Sequence, residues 1–195
     1  MSMRCWKKEK GLLTRGISVS NKIVPLSHYM CKNTEQSVLE LLSGFSCSKD
    51  KDVQGYLRNT AARHETDQIS RTYLIFDSEP TERLVAYVTV ATKCLVLGDD
   101  VENDVLLKTM NVNNGVAQSY LIGQLGKVDG YSKKIGDLAM DFALEVIQSA
   151  NKLVGCKSIR LDCKDALVDY YKKKGFKLLN KNIRNDLNRM VMILT

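Results

Sequence analysis

The sequence predicts an α/β fold, a central mixed β-sheet flanked by α-helices, and three observations carry that expectation. In the last third of the chain, segments with strand chemistry (116–127 and 157–163) alternate with segments of helical periodicity (133–154 and 165–177). Upstream, two stretches rich in β-branched and aromatic residues, 72–76 and 84–96, flank the turn-forming Glu79-Pro80-Thr81-Glu82 and read as a hairpin. The chain has 195 residues, is 44% hydrophobic and contains two prolines, so it can bury one sizeable core and offers nothing like an interdomain linker. One domain over residues 1–195 is therefore expected, with 1–20 a loosely attached N-terminal extension.

Residues 22–27 (Lys-Ile-Val-Pro-Leu-Ser) suit a short first strand, and Asn33-Thr34-Glu35-Gln36 a cap leading into the helix of Val38, Leu39, Leu41 and Leu42. After a polar turn at 46–50, a helix over about 52–66 carries Val53, Tyr56, Leu57 and Ala61 at helical spacing. Segment 98–114 interrupts the pattern with acidic residues, Glu102 and Asp104 among them. It reads as an excursion from the sheet that shapes a pocket for a cationic substrate. Segment 116–127 alternates imperfectly and contains Gly123 and Gly126, preceded by Gly115; such glycines suggest a bulge or a close backbone approach by a ligand. Ile135, Leu138, Ala139, Phe142, Val146, Ala150 and Leu153 then form one apolar helix face. A strand at 158–161 and a helix at 165–174 follow, and 176–179 with 189–194 close the chain as a hairpin.

Composition excludes several classes. No apolar run approaches the roughly 20 residues of a membrane span, and the N-terminus leads into charge, so a cytoplasmic protein is expected. The six cysteines form no C-x-x-C pair and the two histidines, His28 and His64, are far apart, so reduced structural thiols and no metal are expected. Cys163, at a predicted strand end, is the one thiol with an electropositive setting. Net charge is +7, and between Lys127 and Arg189 there are 14 Lys or Arg against 8 Asp or Glu. That half suits an anionic small molecule better than a single-stranded nucleic acid, because the aromatic residues are spread along the chain rather than clustered.

The unit of strand, glycine- and lysine-containing turn and helix presents backbone N–H groups and a positive dipole end to a phosphate. Ser132, Lys133, Lys134, Ile135, Gly136 and Asp137 form that turn, with Lys133 and Lys134 as point charges. A second helix then ends in Tyr170-Tyr171-Lys172-Lys173-Lys174-Gly175-Phe176.

The order of these elements and the closing Tyr-x-x-x-Gly-Phe resemble the cofactor-binding half of the GNAT superfamily of acetyl-coenzyme A-dependent N-acetyltransferases. The resemblance implies a GNAT fold, its sheet splayed at the acetyl-coenzyme A site near Lys127 and Cys163. It implies that the backbone of Leu125, Gly126 and Lys127 pairs with the pantetheine arm and polarises the thioester carbonyl, and that Tyr171 protonates the departing sulfur. Tyr170 takes the place of a residue packed on the sheet beside the cofactor. Against the family's Gln/Arg-x-x-Gly-x-Gly/Ala loop, Tyr131 takes the first position, Lys134 replaces the first glycine and Gly136 matches. Where the family has an asparagine, Lys164 stands, followed by Asp165; either could touch the cofactor.

The implied activity is transfer of acetyl from acetyl-coenzyme A to a primary amine by direct attack in a ternary complex. The acceptor is a small molecule, a peptide or an aminoacyl-tRNA, and a homodimer is compatible with the family. Glu102, Asp104, Asp162, His28 and His64 are candidate bases, none assigned. Residues 45–50 and Ser70-Arg71-Thr72-Tyr73-Leu74 are similar to a bacterial subset that includes toxins acting on aminoacyl-tRNA. The alternative is a non-catalytic GNAT-fold protein serving as a coenzyme A-ligand sensor or RNA-binding module.

Overall fold

The computed structural model describes residues 21–97, 108–110, 112–182 and 186–194. The expected N-terminal extension, Cys5, Glu102 and Asp104 lie outside the described residues. In chain order the elements are β1 (Asn21–Pro25), α1 (Leu26–Lys32), α2 (Glu35–Ser43), α3 (Lys51–Asn59), α4 (Ala61–Thr66), β2 (Arg71–Asp77) and β3 (Arg83–Thr92). Then follow β4 (Leu95–Val96), β5 (Val116–Ala117), β6 (Tyr120–Lys127), α5 (Gly136–Leu153), β7 (Ser158–Cys163), a 3₁₀ turn (Asp165–Leu167), α6 (Val168–Lys173), β8 (Lys177–Asn182) and β9 (Leu187–Ile193). Seven strands form a mixed sheet in the order β1-β2-β3-β6-β7-β9-β8, and β4 with β5 forms a separate pair. The α/β class predicted from the sequence is the one observed. Among the described residues no helix is long and apolar enough to cross a membrane.

The chain forms two compact units, residues 1–89 with 124–145 and residues 90–123 with 146–195. In the first, α1–α4 bury Leu26, Leu42, Phe45, Leu57, Leu74, Phe76 and Tyr87 in one core. Thr34 and Asp50 cap α2 and α3, their side-chain oxygens accepting the N–H of Ser37 and Val53 at 3.2 Å. Two expectations need correction here. The first strand stops at Pro25, which has no N–H for a ladder, and α1 begins at once where the sequence suggested more strand. The single helix expected over 52–66 is two, because Thr60 leaves helical geometry (φ −125°) after Asn59, both weak helix formers.

In the second unit β7 is central, parallel to β6 and antiparallel to β9, and β9 pairs on its other edge with β8. Leu95, Met110, Ala117, Leu179 and Val191 form an apolar cluster within it. The strands expected over 84–96 and 116–127 each break, at Lys93-Cys94 and at Gln118-Ser119. Buried Ser119 explains the second break: its hydroxyl donates to the carbonyl oxygen of Tyr120 at 2.8 Å, while its own carbonyl accepts from Lys93 N at 2.9 Å.

Candidate functional site

The β6–β7 ladder spans two pairs, Tyr120↔Ile159 and Leu121↔Arg160, although β6 continues to Lys127 and β7 to Cys163.

In the first unit, the loop before α5 is built around a carboxylate. Asp77, at the end of β2, is fully buried; Tyr131 donates its hydroxyl to Oδ2 at 2.9 Å and Lys133 its ammonium to the same oxygen at 2.8 Å. These bonds, Lys133 first, hold the Asp77 carboxyl down at about 2. Asp77 in turn raises the Lys133 ammonium, while burial raises the Tyr131 phenol. Arg83 lies 5.4 Å from the Tyr131 ring centre, and Lys127 Nζ donates to the Tyr131 carbonyl at 2.9 Å. Gly130, at φ +73°, makes the left-handed turn that lets the loop close. Lys133, expected to be a point charge for phosphate, thus already neutralises a buried acid 56 residues away.

Exposed Ser132 and Lys134 remain, and among the described residues Lys134 makes no ion pair. Ile135 is buried and its carbonyl accepts the Ala139 N–H at 3.0 Å, which fixes the start of α5. Gly136, Asp137 and Leu138 form the first turn of α5, and the Asp137 carboxylate favours the same dipole end an anion would seek.

Two glycines singled out from the sequence differ sharply. A Cβ on Gly136 would meet nothing within 4 Å, so the helix start is an open cradle. A Cβ on Gly126 would stand 2.6 Å from both Tyr87 and Val53. The close approach at Gly126 is thus made by the Tyr87 ring, whose hydroxyl also donates to the Val53 carbonyl at 2.6 Å. Leu125 beside it is half-buried and Lys127 exposed. Gly123 sits in ordinary contact only, and Gly115 is a left-handed turn residue at φ +72° between β4 and β5.

In the second unit, α6 explains the Tyr-x-x-x-Gly-Phe spacing. Phe176 N–H bonds the Tyr171 carbonyl at 3.0 Å, Gly175 N–H bonds the Lys172 carbonyl at 3.0 Å, and Gly175 takes φ +93°. This is a Schellman ending, completed by the ring contact of Phe176 with Tyr171 at 6.0 Å between centres. Tyr171 is buried, and burial, with Cys163 nearby, pushes its phenol up to about 12. Among the described residues its hydroxyl has no hydrogen-bond partner. Tyr170 is half-buried, stacked edge-on to Tyr171 at 5.1 Å, with Lys174 Nζ 6.0 Å from its ring centre.

Asp165 is taken up within the unit: Asn188 donates to it at 2.6 Å and Lys181 at 3.4 Å, and these lower its carboxyl. Cys163 is buried and its thiol is raised to about 11, first by burial, then by Asp162 and Asp165, which removes thiolate chemistry near neutral pH. Of the candidate bases, His28 is exposed on α1, His64 Nδ1 lies 3.4 Å from the Tyr56 hydroxyl, and Asp162 lies 3.9 Å from Arg189. Sequence reasoning missed Asp77, Arg160 and Arg189. Charges at alternate positions of Ser158-Ile159-Arg160-Leu161-Asp162-Cys163, in a central strand, were the available signal for Arg160.

No protein-family model and no curated protein matches the chain. Among solved structures it is similar to a Tyr-to-Phe mutant of KacT, at 17% identity and TM-score 0.68 over 89% of this chain and 95% of that one. It is similar to AtaT complexed with acetyl-methionyl-tRNAfMet, at 17% identity and TM-score 0.67 over 89% and 94%. It is also similar to AtaTR bound with acetyl-coenzyme A, at 18% identity and TM-score 0.62 over 89% and 93%. The likeness is one of fold, and the fold is the GNAT fold expected from the sequence.

Proposed function

We propose that the chain is an N-acetyltransferase that moves acetyl from acetyl-coenzyme A to a primary amine in a ternary complex. One observation carries the proposal: Tyr171 holds a protonated phenol, without a hydrogen-bond partner among the described residues, on a helix whose ending fixes its position. Two proteins of similar fold support the choice of donor and product, one solved with acetyl-coenzyme A and one with acetyl-methionyl-tRNAfMet.

The donor supplies an activated thioester. The unprotonated amine nitrogen bonds the acetyl carbon, the carbon–sulfur bond breaks, and Tyr171 gives its proton to the sulfur as charge develops there; the nitrogen then loses one proton to solvent, and the Tyr171 phenolate takes one back from solvent. The helix start at Gly136 and Asp137 supplies N–H donors and open space for phosphate, Ser132 a hydroxyl and Lys134 a cation. Lys133 can contribute only while shared with Asp77. The backbone of Leu125, Gly126 and Lys127 is assigned to the pantetheine arm and the thioester carbonyl. Tyr170 packs beside the donor, Ile135 anchors the turn, and Asp165 acts through Asn188 and Lys181 rather than on the donor. The reading includes a single cytoplasmic domain, acceptors among small amines, peptides and aminoacyl-tRNA, and a homodimer to be tested by light scattering.

The commitment of Lys133 to Asp77 favours a second reading, a non-catalytic ligand sensor or RNA-binding module. Amine-dependent thiol release from acetyl-coenzyme A, screened over polyamines, aminoglycosides, peptide N-termini and aminoacyl-tRNA, separates the two. Release above the uncatalysed rate supports the transferase. Absent release, with steeply salt-dependent RNA binding, supports the alternative.

A further inference from the structure

Among the described residues, three charged side chains on the sheet of the second unit each have a buried polar atom without a hydrogen-bond partner. Arg160 and Asp162 lie two apart on β7 and share one of its faces, and Arg189 on β9 is the register partner of Asp162 and joins them there. Arg160 is 7% exposed. Its Nε, Asp162 Oδ1 and Arg189 Nε are all buried without a hydrogen-bond partner among the described residues. Arg189 Nε stands 3.9 Å from Asp162 Oδ1, too far for a hydrogen bond, while its Nη1 donates to the Val96 carbonyl at 3.3 Å. Among the described residues two guanidinium groups thus face one carboxylate, and one positive charge is uncompensated. Burial lowers the Arg160 pKa, but a guanidinium stays protonated in a protein.

We propose that this face of the second unit binds an oxyanion, a carboxylate or a phosphate, with Arg160 as its principal partner and Arg189 as its second. The planar fork of a guanidinium matches two oxygens of such a group, and an anion answers both deficits of Arg160, the unmade hydrogen bond and the unpaired charge. Water can answer only the first. Asp162 Oδ1 still requires a donor, so an oxyanion carrying a hydroxyl or amine beside it fits better than chloride. The site is independent of acetyl transfer and stands or falls without it.

The test uses the full chain labelled with ¹⁵N, the Arg160 Nε–H signal being identified by its loss in Arg160→Lys. Inorganic phosphate and glycolate are titrated separately at constant ionic strength, with chloride as the reference. The expected result is a saturable shift of that signal, and a Tm that rises with concentration, for at least one of the two. A response to phosphate alone identifies a phosphate site, and to glycolate alone a carboxylate site. Arg160→Lys should weaken the thermal response by about tenfold or more. Arg160→Met should abolish it while leaving the ligand-free Tm unchanged or raised, since an apolar replacement removes an unpaired buried charge. A signal that moves no further with phosphate or glycolate than with chloride overturns the proposal. So does an Arg160→Met protein destabilised to the same extent with and without the anion. Should Arg160→Met not fold, unchanged affinity in Arg160→Lys is decisive against it.

Discussion

Tyr131 and Tyr171 are both buried, both ring-stacked or cation-capped, and both held protonated, yet one is finished and the other is not. The Tyr131 hydroxyl ends on Asp77, in a knot that also consumes the charge of Lys133. The Tyr171 hydroxyl ends on nothing among the described residues, although the backbone and ring around it are fully engaged. A polar group whose bonds close within the chain serves the fold, and one whose bonds stay open is available to a ligand. By that criterion the Tyr131–Lys133–Asp77 knot is architecture, and the proposed proton transfer is assigned to α6.

The largest effect expected from this contrast is that of Tyr171→Phe. The ring and the helix ending survive, the proton donor is lost, and kcat should fall by roughly 10²-fold or more when chemistry limits the rate. Tm and coenzyme A affinity should hardly change, and Tyr170→Phe is the control. Steady-state kinetics on both variants that showed equal, small losses would remove Tyr171 from the mechanism. The phenol, raised to about 12, also predicts no loss of rate from its ionisation up to about pH 10.

Asp77→Asn should do the opposite: little direct effect on chemistry, but a fall in Tm of roughly 10 °C from breaking the buried pair. Because the native carboxyl titrates at about 2, below its ordinary 3.8, its stabilising contribution is complete above the ordinary value and fades as pH falls towards 2. The Tm gap between the two proteins should therefore be widest near neutrality and close on acidification. A gap independent of pH would place the contribution elsewhere.

The two glycines give a smaller and signed pair of effects. Gly126→Ala forces a methyl against Tyr87 and Val53 and should cost about 1–3 kcal/mol in denaturant unfolding. Gly136→Ala meets open space and should stabilise by up to about 1 kcal/mol, while weakening coenzyme A if a phosphate sits there. Stabilisation with unaltered coenzyme A affinity by calorimetry would move the phosphates away from the helix start.

The smallest effect is expected of Lys134→Glu, which reverses an exposed charge that makes no ion pair among the described residues. Coenzyme A should bind several-fold more weakly at low salt, with the difference shrinking as salt screens it, and Tm should stay constant. If the affinity is insensitive to both charge and salt, the cation contributes nothing to binding.

What could be seen in the sequence follows the range of the interactions concerned. The alternation of strands and helices, the Thr34 cap and the closing Tyr171 to Phe176 pattern are local, and the structure contains them all. The break at Thr60 and the strand interruptions at 93–94 and 118–119 depend on where neighbouring backbone finds its partners, so local composition misplaced them. The site suffered most, because Lys133 reads as a free cation until a partner 56 residues earlier in the chain is known. Likewise Gly126 reads as a ligand approach until the Tyr87 ring is placed against it.

The helix ending at Gly175 also sets a rule for how this protein can change. Its two closing bonds count backwards from Phe176, so the stop signal and the direction of the Tyr171 side chain share one ruler. A residue inserted between Tyr171 and Gly175 would leave the helix able to stop but would swing the phenol by about 100°. Length can vary freely only upstream, in the 3₁₀ turn at Asp165–Leu167, where added residues lengthen the approach without altering that count. Evolution or engineering can thus re-aim the helix as a whole, yet it cannot re-aim the hydroxyl alone.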